Sequence, residues 1–558
     1  MGNPCPPLSP QLLSRRRWRF LTDPLINNKE FRMRPNHPTE VSRRQVLGAA
    51  GASLASLVMP SQAFAQQGGR RVLVIAATQD IPNFDPHIAT GYSASFLLRN
   101  VYDSLVRVEG NPPKPVPSLG SSWTATPDGR SYTFKLNTLA KFQNGKAVTA
   151  DDVVYSFKRA IRLNKGNAWM IQGVVGPDSV TAVDASTVRF NLLKPFAAFL
   201  QVLPWIWVVS KSDVEANAGA DDGQTYLRTQ VAGSGAFKVR RAEAGNLYEI
   251  ERVADSWHKG GGNLTGVIWR IVRETASQRL LMQRGEAHIA VDLTSEDMDA
   301  LKDKPGVIRV IEPEYRTFSI KLNTRNGPMA DLELRKAVSY ATNYKGILDA
   351  AGYADLMIGP LPNGILGHNP QLAAYRTDMA KAKEHLAKSK YPNGGIKLTF
   401  VYVTGLEQQR RFGLVMLDSL KQLNIELDIK PMIWPDMVAA CASPQTFPDL
   451  FPVYQTANYG DPDNIAFAAY HSSRNGNWQN AVYANPEVDA LIERGRTESD
   501  EGKRIAIYRE MQQKVMADAP DIFGVLEKRK LALRDNVKGF NFVPVASNAI
   551  ECFGLSLS

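Results

Sequence analysis

The sequence has little cysteine and no long apolar run. Only three cysteines, Cys5, Cys441 and Cys552, occur among 558 residues. They are too few for a disulfide-stapled fold, and we expect the last two to be free thiols. No segment contains 18 consecutive apolar residues, so no membrane-spanning helix is expected. With 44% apolar and 22% charged residues, the composition is that of a globular protein with several domains.

The motifs of common enzyme classes are also missing. Asn144-Gly145-Lys146-Ala147 lacks the glycine spacing and the hydroxyl residue of a phosphate-binding loop, and Gly233-Ser234-Gly235 has no third glycine. After residue 65 the six histidines never fall at HxH or HExxH spacing, and no GxSxG elbow occurs. We therefore predict no catalytic residue, no metal site and no cofactor, and we expect a protein that is not an enzyme.

Basic residues are concentrated near the N-terminus. Of the formal charge of +11, nine basic and three acidic residues lie in the first 65 positions, which leaves +5 on the remaining 493. The charge therefore gives no indication of a nucleic-acid partner.

The same N-terminal segment has the order of a secretory signal peptide. Arg43-Arg44 precede a weakly apolar run over residues 46–59, Pro60 and the small-x-small site Ala63-Phe64-Ala65. The paired arginines resemble a twin-arginine motif, with a general secretory signal as the alternative. We expect export to the periplasm and cleavage after about Ala65. Residues 1–32 are interpreted as an extension upstream of a true start at Met33.

The hydrophobic pattern alternates between strands and helices. Continuous or alternating apolar residues predict strands at 72–77, 132–136, 188–192, 396–403 and 425–429. Apolar residues at helical spacing predict helices after Thr149, after Asp331, and at 408–423 and 503–516. Because one of these helices joins strands 396–403 and 425–429 through short loops, the two strands are expected to be parallel neighbours. The fold class is therefore α/β with mixed sheets.

One polar loop is the best candidate for recognition. Residues 454–464 combine two tyrosines with Gly, Asn, Asp and Pro. Loops of this composition on a rigid scaffold commonly carry binding residues. We predict that this loop contributes to a ligand site.

Short motifs in a fixed order extend over more than 400 residues of the chain. They lie at 83–87, 101–105, 117–123, 128–134, 142–145, 149–157, 233–238, 278–290, 334–338, 378–383 and 483–489. In this order the sequence resembles the family 5 extracellular solute-binding proteins of ABC importers, which include oligopeptide-, dipeptide- and nickel-binding proteins. The resemblance implies a two-lobed periplasmic binding protein clamshell of type II, similar to cluster C, with an extra domain inserted in lobe I.

The resemblance also implies domain boundaries. Lobe I is expected to comprise residues 66–102, 195–317 and 528–558, and the inserted domain residues 103–194. Lobe II is expected to span 318–527, and residues 1–65 form the leader. A lobe built from separate pieces gives several strands that cross between the lobes, as a hinge requires.

The same resemblance suggests ligand-binding positions. In the peptide-binding members an aspartate in a Trp-x-Ala-Asp-Tyr loop holds the ligand's ammonium. Here Gln455 and Asn458 stand at the tryptophan and aspartate positions, so the loop lacks the charge that offsets a desolvated ammonium. Asp461 could replace that charge if the loop were rearranged. The expected ligand-binding residues are Thr90, Gly91, Tyr92, Lys321, Trp434, Gln455, Ala457, Asn458, Tyr459 and Asp461.

The function implied by the resemblance is capture of a small solute, a peptide or peptide-like molecule, between the two lobes. The protein is expected to act as a monomer and to deliver the solute to an ABC permease in the inner membrane. The alternatives are a non-peptide solute (an opine, an oligosaccharide, haem or a nickel complex), a periplasmic chaperone, or an exported hydrolase that uses a cleft carboxylate such as Asp461.

Overall fold

The structure, a computed structural model, describes residues 70–545 and 550–558. The predicted signal peptide and its cleavage site lie outside these residues. Among the residues described, no helix combines the length and apolar character needed to cross a membrane.

The strands follow one another along the whole described chain. They are β1 (Val72–Ala77), β2 (Asp103–Ser104), β3 (Val106–Glu109), β4 (Lys114–Pro117), β5 (Gly120–Ala125), β6 (Ser131–Leu136), β7 (Val180–Asp184), β8 (Thr187–Asn191), β9 (Trp207–Val208), β10 (Phe237–Glu243), β11 (Leu247–Arg252), β12 (Gly266–Ile271), β13 (Ile289–Ala290), β14 (Val307–Leu322), β15 (Ala354–Leu356), β16 (Ile396–Val403), β17 (Ile425–Met432), β18 (Leu450–Thr456), β19 (Asp521–Arg534), β20 (Val537–Lys538) and β21 (Ser556–Leu557).

The α-helices alternate with these strands. They are α1 (Tyr92–Val101), α2 (Ala150–Leu163), α3 (Phe199–Val202), α4 (Lys211–Ala216), α5 (Gln224–Leu227), α6 (Thr275–Arg284), α7 (Ser295–Ala300), α8 (Leu332–Ala341), α9 (Tyr344–Ala351), α10 (Met379–Lys388), α11 (Glu407–Lys421), α12 (Trp434–Ala440), α13 (Pro462–Tyr470), α14 (Pro486–Thr497) and α15 (Glu501–Asp518). Short 3₁₀ turns occur at Gly166–Met170, Leu203–Trp205, Pro328–Ala330 and Ser472–Arg474.

The largest sheet runs through both predicted lobes. Its strand order is β10-β11-β12-β1-β13-β19-β14-β18-β16-β17, and β15 pairs with β19. On the lobe I side β1 is parallel to β12 and β13, and on the lobe II side β16 is parallel to β17 and β18. The described structure is therefore a mixed α/β fold, as the sequence predicts.

Two long strands, β14 and β19, connect the two sides of this sheet. They contain 16 and 14 residues and pair with each other antiparallel along most of that length. The boundaries expected at 317/318 and 527/528 fall inside them. Their register shifts between Pro313 and Arg316, and such a bulge bends a strand locally. Two continuous strands with a bend where the lobes meet have the form of a hinge.

The local sequence predictions are confirmed where the hydrophobic period is strong. Strands β1 and β16 have the predicted bounds, and β16, α11 and β17 form the predicted parallel βαβ unit. Helix α2 begins after Thr149, whose hydroxyl and backbone form a capping box with Asp152. Helix α8 begins after Asp331, whose carboxylate accepts a hydrogen bond from the Leu334 amide. These caps satisfy amide groups that a helix N-terminus otherwise leaves unpaired.

A second, four-stranded sheet has the order β5-β6-β8-β7. All of its strands come from the segment 103–194 that the sequence assigns to an inserted domain, and the boundaries of that domain stay a prediction. Two large apolar clusters form the main core. One is built mainly from the lobe I side and includes Tyr459, and the other is built mainly from the lobe II side and includes Val108. Side chains of each lobe therefore reach the core of the other.

Candidate functional site

The carboxyl ends of the parallel strands in the two lobes point toward the same part of the hinge. On the lobe I side, β13 ends at Ala290, which is paired with Ala532 of β19. On the lobe II side, β18 ends at Thr456, which is paired with Arg316, and Arg316 is paired with Glu527 of β19. Both carboxyl edges thus meet the stretch of β19 between Glu527 and Ala532. In open α/β sheets, ligands bind in the crevice outside the carboxyl ends of the strands, so this cleft is the candidate site.

A polar contact joins the two lobes at this cleft. The hydroxyl of Tyr92, at the start of α1, lies 2.7 Å from the hydroxyl of Thr456 at the end of β18. The guanidinium of Arg316 lies 4.7 Å from the ring centroid of Tyr454 and 6.0 Å from that of Tyr92. These contacts hold residues of both lobes around one arginine of the hinge.

The carboxylate of Glu527 organises the lobe II side of this contact. Arg316 Nε lies 2.9 Å from Glu527 Oε2, and the amide of Gln408 donates to Glu527 Oε1 at 3.1 Å. The Tyr454 hydroxyl in turn donates to Gln408 Oε1 at 2.6 Å. Burial lowers the pKa of Arg316, but Glu527 together with Tyr92, Glu314 and Tyr454 outweighs it, and the net shift is upward. Arg316 is therefore a fixed cation at the hinge.

The predicted positions on α1 are accessible at the cleft edge. Thr90 and Gly91 are exposed and Tyr92 is half-buried. Gly91 caps α1 with φ of 95°, a left-handed value that side-chain-bearing residues rarely adopt. This backbone turn leads the chain into α1, whose first residue, Tyr92, contacts Thr456.

At Ala457 and Asn458 the polar loop after β18 is held by its backbone. The Ala457 amide donates to the Tyr315 carbonyl at 2.8 Å, and the Asn458 carbonyl accepts from the Trp205 indole at 2.7 Å. The Asn458 side chain is half-buried and makes no hydrogen bond with the described residues. The loop thus connects the lobes through Trp205 and leaves the amide group of Asn458 available.

Four of the predicted ligand-binding side chains already have partners inside the protein. Gln455 is buried and donates to the Gln479 carbonyl, and the buried Tyr459 hydroxyl donates to Asp463 at 2.8 Å. Lys321 donates to Asp521 Oδ2 at 2.8 Å. Both oxygens of Asp461 accept from Arg504, each at 2.6 Å.

These contacts engage Lys321 and Asp461 within the protein. Lys321 is 6% and Asp461 4% exposed, because each closes a buried ion pair within lobe II. A bidentate arginine pair occupies both lone-pair directions of the carboxylate that face it. Asp461 therefore does not replace the charge that is missing at Asn458, and the hydrolase alternative loses its candidate carboxylate.

Trp434 also lies at the carboxyl edge of the lobe II strands, but beside β17, the last strand of the large sheet. It is the first residue of α12, directly after β17, and 41% of it is exposed. Its ring packs edge-on against Trp478 with 5.6 Å between centroids. An exposed aromatic pair beyond the carboxyl end of a parallel strand can contact an apolar ligand group.

Several residues of the cleft were missed by the sequence analysis. They include Trp205, Arg316 and Glu527. A signal for the hinge residues was present, since the segments Glu314-Tyr315-Arg316 and Glu527-Lys528-Arg529-Lys530 concentrate charges in the middle of strand-like sequence. Charges at such positions are expected to be paired or functional.

The comparison with known protein families identifies the chain. A model of the bacterial extracellular solute-binding proteins, family 5 middle region, matches residues 114–477. The chain belongs to this family. It is the solute-binding protein of an ABC importer, which captures a small solute between two lobes and delivers it to the membrane transporter.

Curated relatives are similar over most of the chain. The probable D,D-dipeptide-binding periplasmic protein DdpA of Escherichia coli strain K12 is 28% identical over 484 residues, which cover 85% of this chain and 92% of DdpA. The glutathione-binding protein GsiB of Pectobacterium atrosepticum is 25% identical over 516 residues, covering 90% and 96%.

A solved structure shows the same fold. The periplasmic binding protein DppA of Helicobacter pylori, in complex with the peptide STSA, matches with a TM-score of 0.77 and 23% identity, covering 87% of this chain and 98% of that one. The two-lobed fold expected from the sequence is thereby confirmed. The family and these similar proteins are binding proteins rather than enzymes, and the periplasmic relatives imply the periplasm for this chain.

Proposed function

We propose that the solute is a peptide or a peptide-like molecule bound at the facing carboxyl edges of the two lobes. The observation that carries the proposal is the polar bridge formed by Tyr92, Arg316 and Thr456 where these edges meet. Backbone and side-chain groups of a peptide are matched by such a mixture of hydroxyl, amide and cationic groups. The names of the relatives, which refer to a D,D-dipeptide, to glutathione and to the peptide STSA, support the same ligand class.

Among the positions expected from the sequence, we retain Thr90, Gly91, Tyr92, Trp434 and Asn458 as ligand contacts. Each is exposed or half-buried at the cleft edge. Ala457 supports the loop through its backbone bond to Tyr315. The side chains of Lys321, Gln455, Tyr459 and Asp461 support the scaffold.

Closure around β14 and β19 provides the mechanism. A ligand that contacts both lobes stabilises the closed form relative to the open form and so shifts the population toward closure. A micromolar dissociation constant would correspond to about −8 kcal/mol of binding free energy. The protein acts as a monomer, is exported with cleavage after about Ala65, and presents the closed form to the permease.

The test is a ligand screen with the exported protein after it has been stripped of bound solute by denaturant and refolded. D-alanyl-D-alanine, glutathione and Ser-Thr-Ser-Ala form the peptide set, and haem, nickel–histidine and an opine form the non-peptide set. A ligand at 100 times its dissociation constant adds about 2.7 kcal/mol, which raises the melting temperature of a chain of this size by about 3 °C. A shift with a peptide is expected. A shift with only non-peptide ligands would overturn the peptide assignment.

A further inference from the structure

Two buried charges of opposite sign lie unpaired at the hinge. Glu314 of β14 is 2% exposed and Arg529 of β19 is 7% exposed. Glu314 Oε1 and Arg529 Nη2 have no hydrogen-bond partner among residues 70–545 and 550–558. Within the same ranges, neither side chain takes part in an ion pair, unlike their neighbours Arg316 and Glu527. A buried charge without a partner is unfavourable for folding and therefore requires an explanation.

Three other buried arginines have hydrogen-bond partners, whereas Arg99 Nε and Nη2, like Arg529 Nη2, have none among the described residues. Arg159, fully buried, forms two hydrogen bonds with the carboxylate of Asp85 at 2.8 and 2.7 Å. Arg504 pairs in the same bidentate way with Asp461. Arg335, 6% exposed, donates to backbone carbonyls that include those of Met329 and Asp518. The unpaired state of Arg529 is thus not the general condition of buried arginines in this fold.

The register places the two unpaired groups where the carboxyl edges of both lobes meet. Glu314 lies inside the bulge between Pro313 and Arg316, and Arg529 lies two residues beyond Glu527 on the paired strand. Burial lowers the pKa of Arg529. The negative charge of Glu314 opposes this shift, and the charge of Asp292 opposes it less strongly. Glu314 and Arg529 each lie one residue from the paired Pro313 and Lys528, on opposite sides of that pair, so they are diagonal neighbours across the ladder that form no ion pair.

Glu312, opposite Arg529 in the ladder, is exposed to solvent, and the other charged groups nearby are already engaged or have the same sign as Arg529. Asp292 Oδ2 accepts from the amide and the hydroxyl of Thr78 at 2.8 and 2.9 Å. Glu527 is paired with Arg316. Lys530, whose pKa is lowered by burial, adds positive charge beside Arg529. Glu314 therefore remains as an unpaired acceptor for a cation, and Arg529 remains as an unpaired donor for an anion.

We propose that Glu314 and Arg529 bind the ammonium and the carboxylate of one zwitterionic ligand, such as a short peptide with both termini free. This inference rests on the proposed function and names the charged partners of the ligand in the same cleft. An ammonium satisfies the carboxylate of Glu314, and a carboxylate satisfies the guanidinium fork of Arg529. A ligand with one charge only leaves the other group unpaired, so the site selects for zwitterions.

The proposal also accounts for the neutral loop. Asn458 supplies no charge for an ammonium, and Asp461 is held by Arg504. With Glu314 as the ammonium acceptor, the loop needs no carboxylate. We therefore expect Asn458→Asp to give no gain in affinity for a free-amine peptide.

The binding test uses chemically blocked peptides. D-alanyl-D-alanine is titrated calorimetrically as the free peptide, the N-acetyl derivative and the C-terminal amide. The wild-type protein should bind a free peptide at least tenfold more tightly than either blocked form. Glu314→Gln should abolish the discrimination against the N-acetyl form, and Arg529→Gln the discrimination against the amide. Discrimination that persists unchanged in both variants overturns the proposal.

A melting experiment on the ligand-free protein tests the same inference without a ligand. If Glu314 and Arg529 were partners in a structural ion pair, each single variant would lower the melting temperature by several degrees. The proposal instead expects Glu314→Gln and Arg529→Gln to leave it unchanged or to raise it, because each removes an unpaired buried charge and no bond of the ligand-free protein is lost. Arg504→Gln, which breaks a real buried pair, is the matched control and should lower it.

The two proposals can fail separately. If none of the free peptides binds and a non-peptide ligand does, the peptide function is wrong, and the melting experiment still decides whether the hinge charges are unpaired. If a free peptide binds and both variants keep the wild-type preference for it, the peptide function stands and the assignment of Glu314 and Arg529 is wrong.

Discussion

The Asp461–Arg504 pair allows a direct test of whether a carboxylate near the cleft stabilises the fold or binds the ligand. Asp461 follows the candidate loop directly, accepts two hydrogen bonds of 2.6 Å from Arg504, and caps α13 through the Asp463 amide. Its residue exposure is 4% and that of Arg504 is 5%. The perturbation is Asp461→Asn, which keeps a good capping residue and removes the charge.

The expected magnitude follows from burial. Removing one partner of a buried, hydrogen-bonded pair leaves an uncompensated charge and destabilises by about 3–5 kcal/mol. Unfolding entropy of about 2.1 cal/mol/K per residue corresponds to about 1 °C per kcal/mol for a chain of this length. Asp461→Asn should therefore lower the melting temperature by about 3–5 °C. Peptide affinity, measured well below the melting temperature, should change by less than about threefold.

Differential scanning calorimetry and isothermal titration measure the two quantities. The control is Asp378→Asn at the exposed N-cap of α10, where the side chain accepts from the Lys381 amide, and where a change of less than about 1 kcal/mol is expected. If Asp461→Asn leaves the melting temperature unchanged but abolishes peptide binding, the carboxylate serves the ligand and the structural assignment is refuted.

Three further predictions test other parts of the molecule. Burial lowers the pKa of His87 and of His288 to about 4, so the unfolded chain takes up protons near pH 6.5 that the folded chain does not. The free energy of unfolding should therefore fall between pH 7 and pH 5, by about 2 kcal/mol per histidine at pH 5. Urea titrations at both pH values measure this fall, which should be smaller in a His288→Gln variant. Tyr92→Phe and Thr456→Val should each weaken peptide binding about fivefold, since each removes the same interlobe hydrogen bond of about 1 kcal/mol, and titration of the double variant should show no further loss. A Cβ on Gly262 would lie 1.6 Å from the Leu555 carbonyl oxygen, so Gly262→Ala should cost about 3 kcal/mol in calorimetry.

The controls for these predictions lie in the same chain. A flat stability profile between pH 7 and pH 5 would contradict the burial of two neutral histidines. Additive losses in the Tyr92 and Thr456 double variant would show that the two hydroxyls act independently. Gly554→Ala, whose added Cβ meets no atom within 4 Å, should be nearly neutral, and an equal loss there would contradict the steric explanation for Gly262.

The parts of the fold that the sequence predicted are those whose signals are local. The βαβ unit was predicted because apolar residues repeat with the strand and helix periods within about 40 residues. The helices that follow Thr149 and Asp331 were predicted because their apolar residues repeat with the helical period within a few turns. In each case the information lies in neighbouring residues, so one sequence is sufficient.

The candidate site depends on pairings between distant parts of the chain, and these were not predictable from spacing. Arg316 pairs with Glu527, and Lys321 with Asp521, across the β14–β19 ladder. From the sequence alone Lys321 is an isolated lysine, and only the ladder shows that it faces Asp521. The resemblance to a family located the loop around Asn458, but the partner of Asp461 became clear only when α15 was placed beside it.

The position of the unpaired charges also bears on how binding is coupled to closure. A charged residue on a mobile loop can neutralise a ligand group without changing the angle between the lobes. Glu314 and Arg529 instead lie on the two strands that bend, next to the register shift between Pro313 and Arg316. A zwitterion that satisfies both groups therefore fixes the relative position of β14 and β19 at the bend itself. The ligand shifts the open–closed equilibrium by the difference between its affinities for the two hinge geometries. Ligand charge and lobe closure are therefore linked through Glu314 and Arg529.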